Sequence, residues 1–258
     1  MARVHPKAEV AASAVLAGSV EVGPFAVIGP DVELGPDVQV GPHAVVCGRT
    51  SVGAGTRIFP FAVVGEIPQD QKYAGESTAL IIGTHNVIRE HTSLHVGTAQ
   101  GGGATRIGDH NLFMNGVHVA HDCHVGSHTI LASYTALGGH VIVEDYAVLG
   151  GYTGVHQFCR VGESAMAAGA SKISQDVPPF SLVAGDRARL VGLNAVGMKR
   201  RAFSPETLSA LKRAFHIVFQ SKLRLEPALL QVQEEIGGVP EVLHFVEFLR
   251  KSERGFCR

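Results

Sequence analysis

The most regular feature of the sequence is an aliphatic residue at every sixth position. The repeat keeps one phase from Val4 to Val64 and, after two interruptions at about 65–81 and 99–106, continues as far as Ile173. The residue after the aliphatic position is often small or compatible with a turn. Hexapeptide repeats of this kind are typical of β-helices, in which each repeat contributes one short strand and one tight turn.

Three hexads would close one triangular coil of 18 residues, so that residues 18 apart stack at about 4.8 Å, the spacing of neighbouring strands. The aliphatic residues would fill the axis of the coil, and pairs such as Gly23-Pro24 and Gly41-Pro42 would supply the turns. We therefore predict a parallel β-helix over residues 1–185, with inserted loops at about 65–81 and 99–106. The hexad spacing alone does not define the hand of the coil.

The pattern changes in the last third of the chain, and Pro178-Pro179 marks the change. Ser204-Pro205 has the form of a helix N-cap followed by Pro at the first helical position. A second helix is predicted over about 226–235, and a third begins near Pro240. We therefore predict a small α-helical domain over residues 186–258.

Composition and charge refine this picture. Hydrophobic residues make up 45% of the chain, aromatic residues only 6%, and Trp is absent, which favours a thin solenoid core. Residues 1–185 carry 9 basic and 15 acidic side chains, whereas residues 186–258 carry 13 basic and 8 acidic ones. The C-terminal domain is thus expected to favour an acidic partner or a phosphate ligand. Nucleic acid is disfavoured, because aromatic residues are few and no recognition motif is present.

The sequence contains no apolar run of about 18 residues and no signal segment, so we expect a cytoplasmic protein without a transmembrane segment. Its four cysteines lack the spacing of zinc or redox motifs, and we expect all four to be reduced and buried. They are Cys47, Cys123, Cys159 and Cys257.

Fourteen histidines provide the main chemical signal. Several of them follow hexad positions that are 18 residues apart, such as Val119 and Leu137, and therefore share one face of the predicted coil. Both inserted loops leave the coil from this face. We predict a polar strip there that contains His95, His121, His140 and His156, flanked by His118 and by a loop that bears Gln69, Asp70 and Lys72.

This strip permits two kinds of chemistry. The imidazoles could ligate a metal, as in hexapeptide carbonic anhydrases, or one could act as a general base while the others bind substrate. Zinc needs nitrogens that converge at about 2.0–2.1 Å, and the positions of the histidines within their hexads do not favour convergence. His121-Asp122 instead places a carboxylate beside a candidate base, which it could orient if a turn brings the two side chains together.

Longer motifs are spread over nearly the whole chain. They are GEIPQDQKYAGE at 65–76, QGGG at 100–103, AHDC at 120–123, GHV at 139–141, VHQFC at 155–159, QDVPP at 175–179 and KRR at 199–201. Together they resemble the acyl-carrier-protein-dependent UDP-N-acetylglucosamine O-acyltransferases. The resemblance implies a left-handed parallel β-helix with a small C-terminal helical domain, a homotrimer with active sites between subunits, and the first acyl transfer of lipid A synthesis.

The same resemblance implies a reaction and its residues. A 3-hydroxyacyl group would pass from the phosphopantetheine of acyl carrier protein to the 3-hydroxyl of UDP-N-acetylglucosamine, with no metal and no further cofactor. His121 would be the base, Asp122 its support, the backbone N–H of Gly139 the oxyanion donor, and Gly169 the position that limits acyl-chain length. The positions implied to bind the sugar nucleotide or to line the active site are Gln69, Asp70, Lys72, His95, His118, His140, His156, Gln157, Asn194, Arg200 and Arg201.

Three other functions remain as alternatives. The sister UDP-3-O-acylglucosamine N-acyltransferase shares the hexads and the carrier donor, but it carries a uridine-binding domain before its β-helix, whereas the hexads here begin at Val4. A hexapeptide-fold zinc hydratase would bind zinc. A non-catalytic scaffold leaves the histidines on one face unexplained. The sequence also leaves open the acyl-chain length and whether the acceptor is UDP-N-acetylglucosamine or its 3-amino analogue.

Overall fold

The protein is a left-handed parallel β-helix followed by a small helical domain, and the computed structural model describes all 258 residues. Consecutive strands pass from the first face of the coil to the second, then to the third and back to the first. We call the turns between these faces corner 1/2, corner 2/3 and corner 3/1. Each face is a parallel sheet whose neighbouring strands come from successive coils.

The strands are short, and most contain two residues. The first face contains β1 (Arg3–Val4), β4 (Glu21–Val22), β7 (Gln39–Val40), β10 (Arg57–Ile58), β13 (Val87–Ile88), β16 (Leu112–Phe113), β19 (Ile130–Leu131), β22 (Val148–Leu149) and β25 (Met166–Ala167). The second contains β2 (Glu9–Val10), β5 (Val27–Ile28), β8 (Val45–Val46), β11 (Val63–Glu66), β14 (Ser93–His95), β17 (His118–Val119), β20 (Ala136–Leu137), β23 (Gly154–Val155) and β26 (Lys172–Ile173). The third contains β3 (Val15–Leu16), β6 (Val32–Leu34), β9 (Arg49–Val52), β12 (Ala79–Ile82), β15 (Ala104–Ile107), β18 (His124–Val125), β21 (Ile142–Val143) and β24 (Arg160–Val161).

The predicted aliphatic column is the core of the coil. Val119 pairs in register with Leu137, and Leu137 with Val155, so residues 18 apart stack directly. A cluster of 40 buried residues runs along the axis, and burying each aliphatic side chain contributes roughly 1.5–3 kcal/mol. Val4, at the N-terminal end of the column, is exposed.

Both interruptions of the hexad pattern are loops, and both leave the second face and return to the third. They span 67–78, between β11 and β12, and 96–103, between β14 and β15. The first loop is shorter than the sequence predicted, because its flanking strands are longer than two residues, and the second has the predicted length but begins three residues earlier. The two loops therefore lie at the same corner, corner 2/3.

The sheet extends further along the chain than the predicted boundary at residue 185. β27 (Ser181–Ala184) pairs in parallel with β25, and β28 (Arg189–Leu193) pairs with β27 in the antiparallel direction. Leu190 still packs against the core of the coil, which explains why the sheet continues beyond the last hexad. The helices that follow are α1 (Ala195–Arg200), α2 (Pro205–Phe219), α3 (Leu225–Ile236) and α4 (Pro240–Arg250); α1 was not predicted.

The cysteines are all free, as predicted, but only three of them are buried. Burial raises the pKa of Cys123 to about 12 and that of Cys159 and Cys257 to about 11. Cys47 is only partly buried, and its thiol faces the carboxylate of Glu66. None of the helices is long and apolar enough to cross a membrane.

Helix α4 lies against the third face and fixes the helical domain on the coil. Nε2 of His244 lies 2.7 Å from the carboxylate of Glu144, and the guanidinium of Arg160 lies 4.1 Å from the centre of the Phe248 ring. The hydrogen bond to Glu144 raises the pKa of His244 despite its burial. Burial opposes ionisation of Glu144, but the hydrogen bond and charge of His244 outweigh it and lower the pKa of that carboxyl.

We expect His244→Gln to lower the midpoint of thermal unfolding most at mildly acidic pH. Since the folded protein raises the pKa of His244, the pair stabilises the fold below the ordinary histidine value of about 6.5 and loses this effect as the pH rises through the raised pKa. The midpoint difference between wild type and variant should be larger at about pH 6 than at about pH 9. His216→Gln, at an exposed position on α2, is the control; an equal difference at both pH values would contradict the assignment.

Candidate active site

The two inserted loops and corner 2/3 enclose a polar cleft of about 660 Å³. Six of the residues predicted from the sequence line it: Gln69, Asp70, Lys72, His121, His140 and Gln157. Four residues that the sequence analysis did not identify complete the lining, namely Gln71, Thr98, Gln100 and Phe158. The predicted polar face is therefore a cleft, because the inserted loops form walls beside it.

The backbone at corner 2/3 brings His121 and Asp122 together. Asp122 adopts a left-handed conformation with φ of 59°, and this turn places its carboxylate 2.8 Å from Nδ1 of the adjacent ring. Adjacent side chains on an extended strand would point to opposite faces. Such a conformation costs roughly 1–2 kcal/mol for a residue with a side chain, and it recurs at other turns of the coil, including those of His140 and Phe158.

Asp122 is 4% exposed and accepts three side-chain or backbone hydrogen bonds. The amide of Thr98 donates to one carboxylate oxygen (2.8 Å), and the hydroxyl of Thr98 donates to the other (2.7 Å), which also faces His121. A Cβ on Gly101 would lie 1.9 Å from the carboxylate carbon, so only glycine fits there. A carboxylate surrounded by donors fixes the proton of His121 on Nδ1 and leaves the lone pair on Nε2.

Gly139 lies one coil after His121, because the two residues are 18 positions apart. A Cβ on Gly139 would lie 2.6 Å from the His121 ring. The amide of Gly138 donates a hydrogen bond to the carbonyl oxygen of Val155, and the amide of His140 donates one to the carbonyl oxygen of His121. The amide of Gly139, which lies between them in sequence, makes no hydrogen bond. A free backbone donor thus lies beside the imidazole.

His140 occupies the position 18 residues after Asp122 and has the same left-handed backbone, with φ of 61°. Its ring stacks on Phe158 with the centres 4.4 Å apart and lies perpendicular to the His121 ring at 5.2 Å. Its Nε2 atom is 3.7 Å from Asp122 Oδ2. Burial lowers the pKa of His140 below its ordinary value, although the charge of Asp122 opposes the shift.

The expectation from the sequence concerned three histidine nitrogens, whereas the structure brings two imidazoles together with a carboxylate. His121, Asp122 and His140 each offer one ligand atom, and these atoms all lie within 4.8 Å of one another. The hexad positions of the histidines differ, but the left-handed turns redirect the side chains. Two imidazoles and a carboxylate therefore form a group that could hold a metal ion.

His95 and His118 form a second group on the second face, with ring centres 5.1 Å apart. Nδ1 of His95 donates to the carbonyl oxygen of Ile67 (2.7 Å), which leaves Nε2 as a buried acceptor without a partner in the chain. His118 lies 2.9 Å from the hydroxyl of Ser93. Burial and the neighbouring His95 lower the pKa of His118 to about 4, so His118 is neutral at neutral pH.

The remaining predicted residues lie elsewhere. His156 is exposed, and its ring contacts the backbone of Gln157. Gly169 lies at corner 1/2, where an added Cβ would meet the carbonyl oxygen of Gly151 at 3.3 Å. The third set, Asn194, Arg200 and Arg201, is at corner 3/1. Within one chain, the predicted site residues are thus distributed over all three corners.

Asn194 is a buried cap of helix α1. Its side-chain oxygen accepts a hydrogen bond from the amide of Gly197 (3.0 Å), and its Nδ2 donates to the carbonyl of Ser164 (2.9 Å) at corner 3/1. These contacts give Asn194 a structural role in this chain. Its predicted contact with the nucleotide stays a prediction.

Arg200 and Arg201 differ in their surroundings. One nitrogen of Arg201 donates to the carboxylate of Glu163 (2.5 Å) and to the hydroxyl of Ser164 (2.6 Å), and the guanidinium lies 3.8 Å from the centre of the Tyr146 ring. Arg200 is exposed, and its side chain makes no hydrogen bond or ion pair within the chain. Of the two, Arg200 is the cation that is free to contact a ligand.

The sequence and the fold are both similar to those of known acyltransferases. A family model described as UDP N-acetylglucosamine O-acyltransferase, domain 2, matches residues 176–257, and a model of bacterial transferase hexapeptide repeats matches 13–48 and 104–139. The acyl-[acyl-carrier-protein]–UDP-N-acetylglucosamine O-acyltransferase of Myxococcus xanthus is 50% identical over 258 residues, 100% of both chains. That of Thiobacillus denitrificans is 49% identical over 100% of both chains.

The chain belongs to this O-acyltransferase family. The structure of LpxA from Acinetobacter baumannii, 43% identical, superimposes with a TM-score of 0.96 over 99% of each chain. The UDP-N-acetylglucosamine acyltransferase of Arabidopsis, 36% identical, has a TM-score of 0.87 and covers 99% of this chain and 100% of its own. This member of the O-acyltransferase family thus shares the whole fold, including the helical domain.

In this O-acyltransferase family member we expect Arg201→Ala to lower stability and Arg200→Ala to leave it nearly unchanged. Loss of Arg201 leaves the partly buried carboxylate of Glu163 without its cation, which should cost roughly 1–2 kcal/mol. The midpoint of thermal unfolding would fall by about 2–4 °C per kcal/mol, measured by circular dichroism. Equal midpoints for the two variants would contradict the structural role of Arg201.

Proposed function

We propose that this protein transfers an acyl group from acyl carrier protein to UDP-N-acetylglucosamine. The relatives from Myxococcus xanthus and Thiobacillus denitrificans carry the name of this reaction. The observation that carries the proposal for this chain is the arrangement of His121 between the carboxylate of Asp122 and the free amide of Gly139, at the wall of a polar cleft. We further propose a 3-hydroxyacyl donor and the first step of lipid A synthesis in the cytoplasm.

The proposed chemistry begins with the 3-hydroxyl of the sugar. With Nδ1–H directed at Asp122, the lone pair on Nε2 of His121 accepts the hydroxyl proton as the sugar oxygen attacks the thioester carbonyl. The attack converts the carbonyl oxygen into an oxyanion. Because a thioester is already activated, deprotonation of the alcohol and stabilisation of this oxyanion are the two tasks left to the protein, and the donor's phosphopantetheine is the only carrier group required.

Gly139 is positioned for the second task. Its amide N–H has no partner in the chain and lies next to the base. A backbone donor of this kind is typically worth about 3–4 kcal/mol in acyl-transfer enzymes. Collapse of the tetrahedral intermediate would then break the carbon–sulfur bond, and the imidazolium of His121 would return its proton to the departing thiolate.

The distribution of residues over three corners supports a site that two chains complete. Corner 1/2 carries half-exposed aromatic side chains, and the first-face strands from β16 to β25 turn aliphatic side chains outward. The outward positions of the third face are mixed, with Glu33, Arg106 and Arg160 beside the exposed Ile81 and Ile142. Three rods packed around an axis beside corner 1/2 would join the second face of each to the first face of the next. The exposed aromatic residues are Phe25, Phe61, Tyr134 and Tyr152, and the outward aliphatic residues include Leu112, Ile130, Val148 and Met166.

This packing would place corner 2/3 of one chain beside corner 3/1 of the next. The cleft with His121 and Lys72 would then face Arg200 of the partner subunit. A guanidinium can fork onto the oxygens of a pyrophosphate. The proposed homotrimer therefore explains why the predicted phosphate ligands lie far from the base within one chain, and the basic helical domain offers a surface for an acidic acyl carrier protein.

The test is mass spectrometry of the protein incubated with UDP-N-acetylglucosamine, or its 3-amino analogue, and a panel of 3-hydroxyacyl carrier proteins. We expect an acylated sugar nucleotide whose rate of formation falls about 10²–10⁴-fold in His121→Ala. His124→Ala, at an exposed position on the third face, is the matched control and should retain the wild-type rate. No product with any donor would refute the proposed reaction, and full activity of His121→Ala would refute the proposed base.

A further inference from the structure

The side chains of His121, Asp122 and His140 form the only group of three potential metal ligands in the molecule whose ligand atoms lie within 4.8 Å of one another. We propose that this group binds a divalent transition metal such as Zn²⁺, and that His121 cannot act as the catalytic base while the metal is bound. The site is at the wall of the cleft, where a fourth ligand from solvent can reach it. The second half of the proposal rests on the proposed function of His121.

The donor set and its spacing suit zinc. Two imidazole nitrogens and one carboxylate oxygen are ligands that Zn²⁺ accepts in a tetrahedral site. With bonds of about 2.0–2.2 Å, ligand atoms in such a site lie about 3.3–3.6 Å apart. Asp122 Oδ2 lies 2.8 Å from Nδ1 of His121 and 3.7 Å from Nε2 of His140, values on either side of this separation. The ligand nitrogens of His121 and His140 lie within 4.8 Å of each other, so movements of about 1 Å would close the site.

Contacts behind the ligands hold two of them in place. Thr98 donates its amide and its hydroxyl to the two oxygens of Asp122, and the His140 ring is stacked on Phe158. Supporting hydrogen bonds of this type orient metal ligands, and their loss typically weakens metal binding about 10–100-fold. The support is built from an inserted loop and two successive coils, so the three ligands do not depend on flexible side chains alone.

The state of the His121 ring explains the mutual exclusion. A metal on Nδ1 would require the single proton of the neutral ring to leave that nitrogen for solvent and Nε2 to take up a proton from solvent. The ring would then carry its one proton on Nε2, where the base needs a lone pair. A metal on Nε2 would occupy that lone pair directly. In either case His121 can no longer accept the proton of the sugar hydroxyl.

A column of three other histidines provides a contrast. His85, His110 and His128 are exposed at corner 3/1 and stack in parallel with ring centres 5.0 Å apart. Parallel rings at this distance keep their nitrogens too far apart to share one tetrahedral ion, and no carboxylate completes a set of three within the same limit. Substitution in this column therefore measures how much metal binds weakly to exposed histidines outside the proposed site.

The test is titration of the purified full-length protein with Co²⁺, followed by its visible absorption, together with equilibrium dialysis against Zn²⁺. We expect one equivalent per chain, at least tenfold weaker binding in His140→Ala and in Thr98→Val, and no change in His110→Ala. Circular dichroism would check that each variant is folded. No binding, binding unchanged in His140→Ala, or binding reduced in His110→Ala would overturn the proposed site.

The exclusion is tested in the same preparations by adding Zn²⁺ to the acyl-transfer reaction. Transfer should fall in proportion to metal occupancy and recover when a chelator removes the metal. Undiminished transfer by metal-loaded protein would overturn the exclusion. Because Co²⁺ absorption and dialysis do not depend on turnover, a failure of the proposed acyl transfer would be seen separately, as absence of product before any metal is added.

Discussion

The constraint on which the rest of the structure depends is the coil of 18 residues. Parallel pairing of successive coils fixes each residue against the one 18 positions away, as in the register of Val119 with Leu137. The aliphatic column enforces this register, because a slip of one residue would turn its side chains outward. The site follows from the same period, since Gly139 stacks on His121 and His140 on Asp122. A rigid core thus sets the geometry of the candidate catalytic groups.

The flat sides of the coil also prevent one chain from enclosing a substrate by itself. A rod with a filled core has no interior cavity for a substrate, and its corners are separated by whole faces. The candidate base is at corner 2/3, whereas Arg200 is at corner 3/1. The proposed trimer resolves this separation by placing the second face of one chain against the first face of the next. The same packing would bury the exposed aromatic residues of corner 1/2 and complete the cleft at corner 2/3.

Much of the fold was predictable because the hexad repeat is local. The positions of both loops and the grouping of His121 with His140 follow from counting residues, and the pairing of His121 with Gly139 follows from the same period. Contacts made by non-repeating segments were not predictable. Thr98 contacts Asp122 from an inserted loop whose length the repeat does not determine. The hydrogen bond between Arg201 and Glu163 depends on how the helical domain packs on the coil. The turn geometry that makes the ligand atoms converge also lies outside a pattern of aliphatic spacing.

The most direct test of the shared site is to mix two defective chains. His121→Ala and Arg200→Ala chains would be coexpressed with different affinity tags, and mixed oligomers would be assayed for acyl transfer at low UDP-N-acetylglucosamine concentration. If each site combines corner 2/3 of one subunit with corner 3/1 of another, mixed oligomers contain sites with both native residues, and their activity will exceed that of either parent. Mixed oligomers no more active than the parents would contradict the shared site.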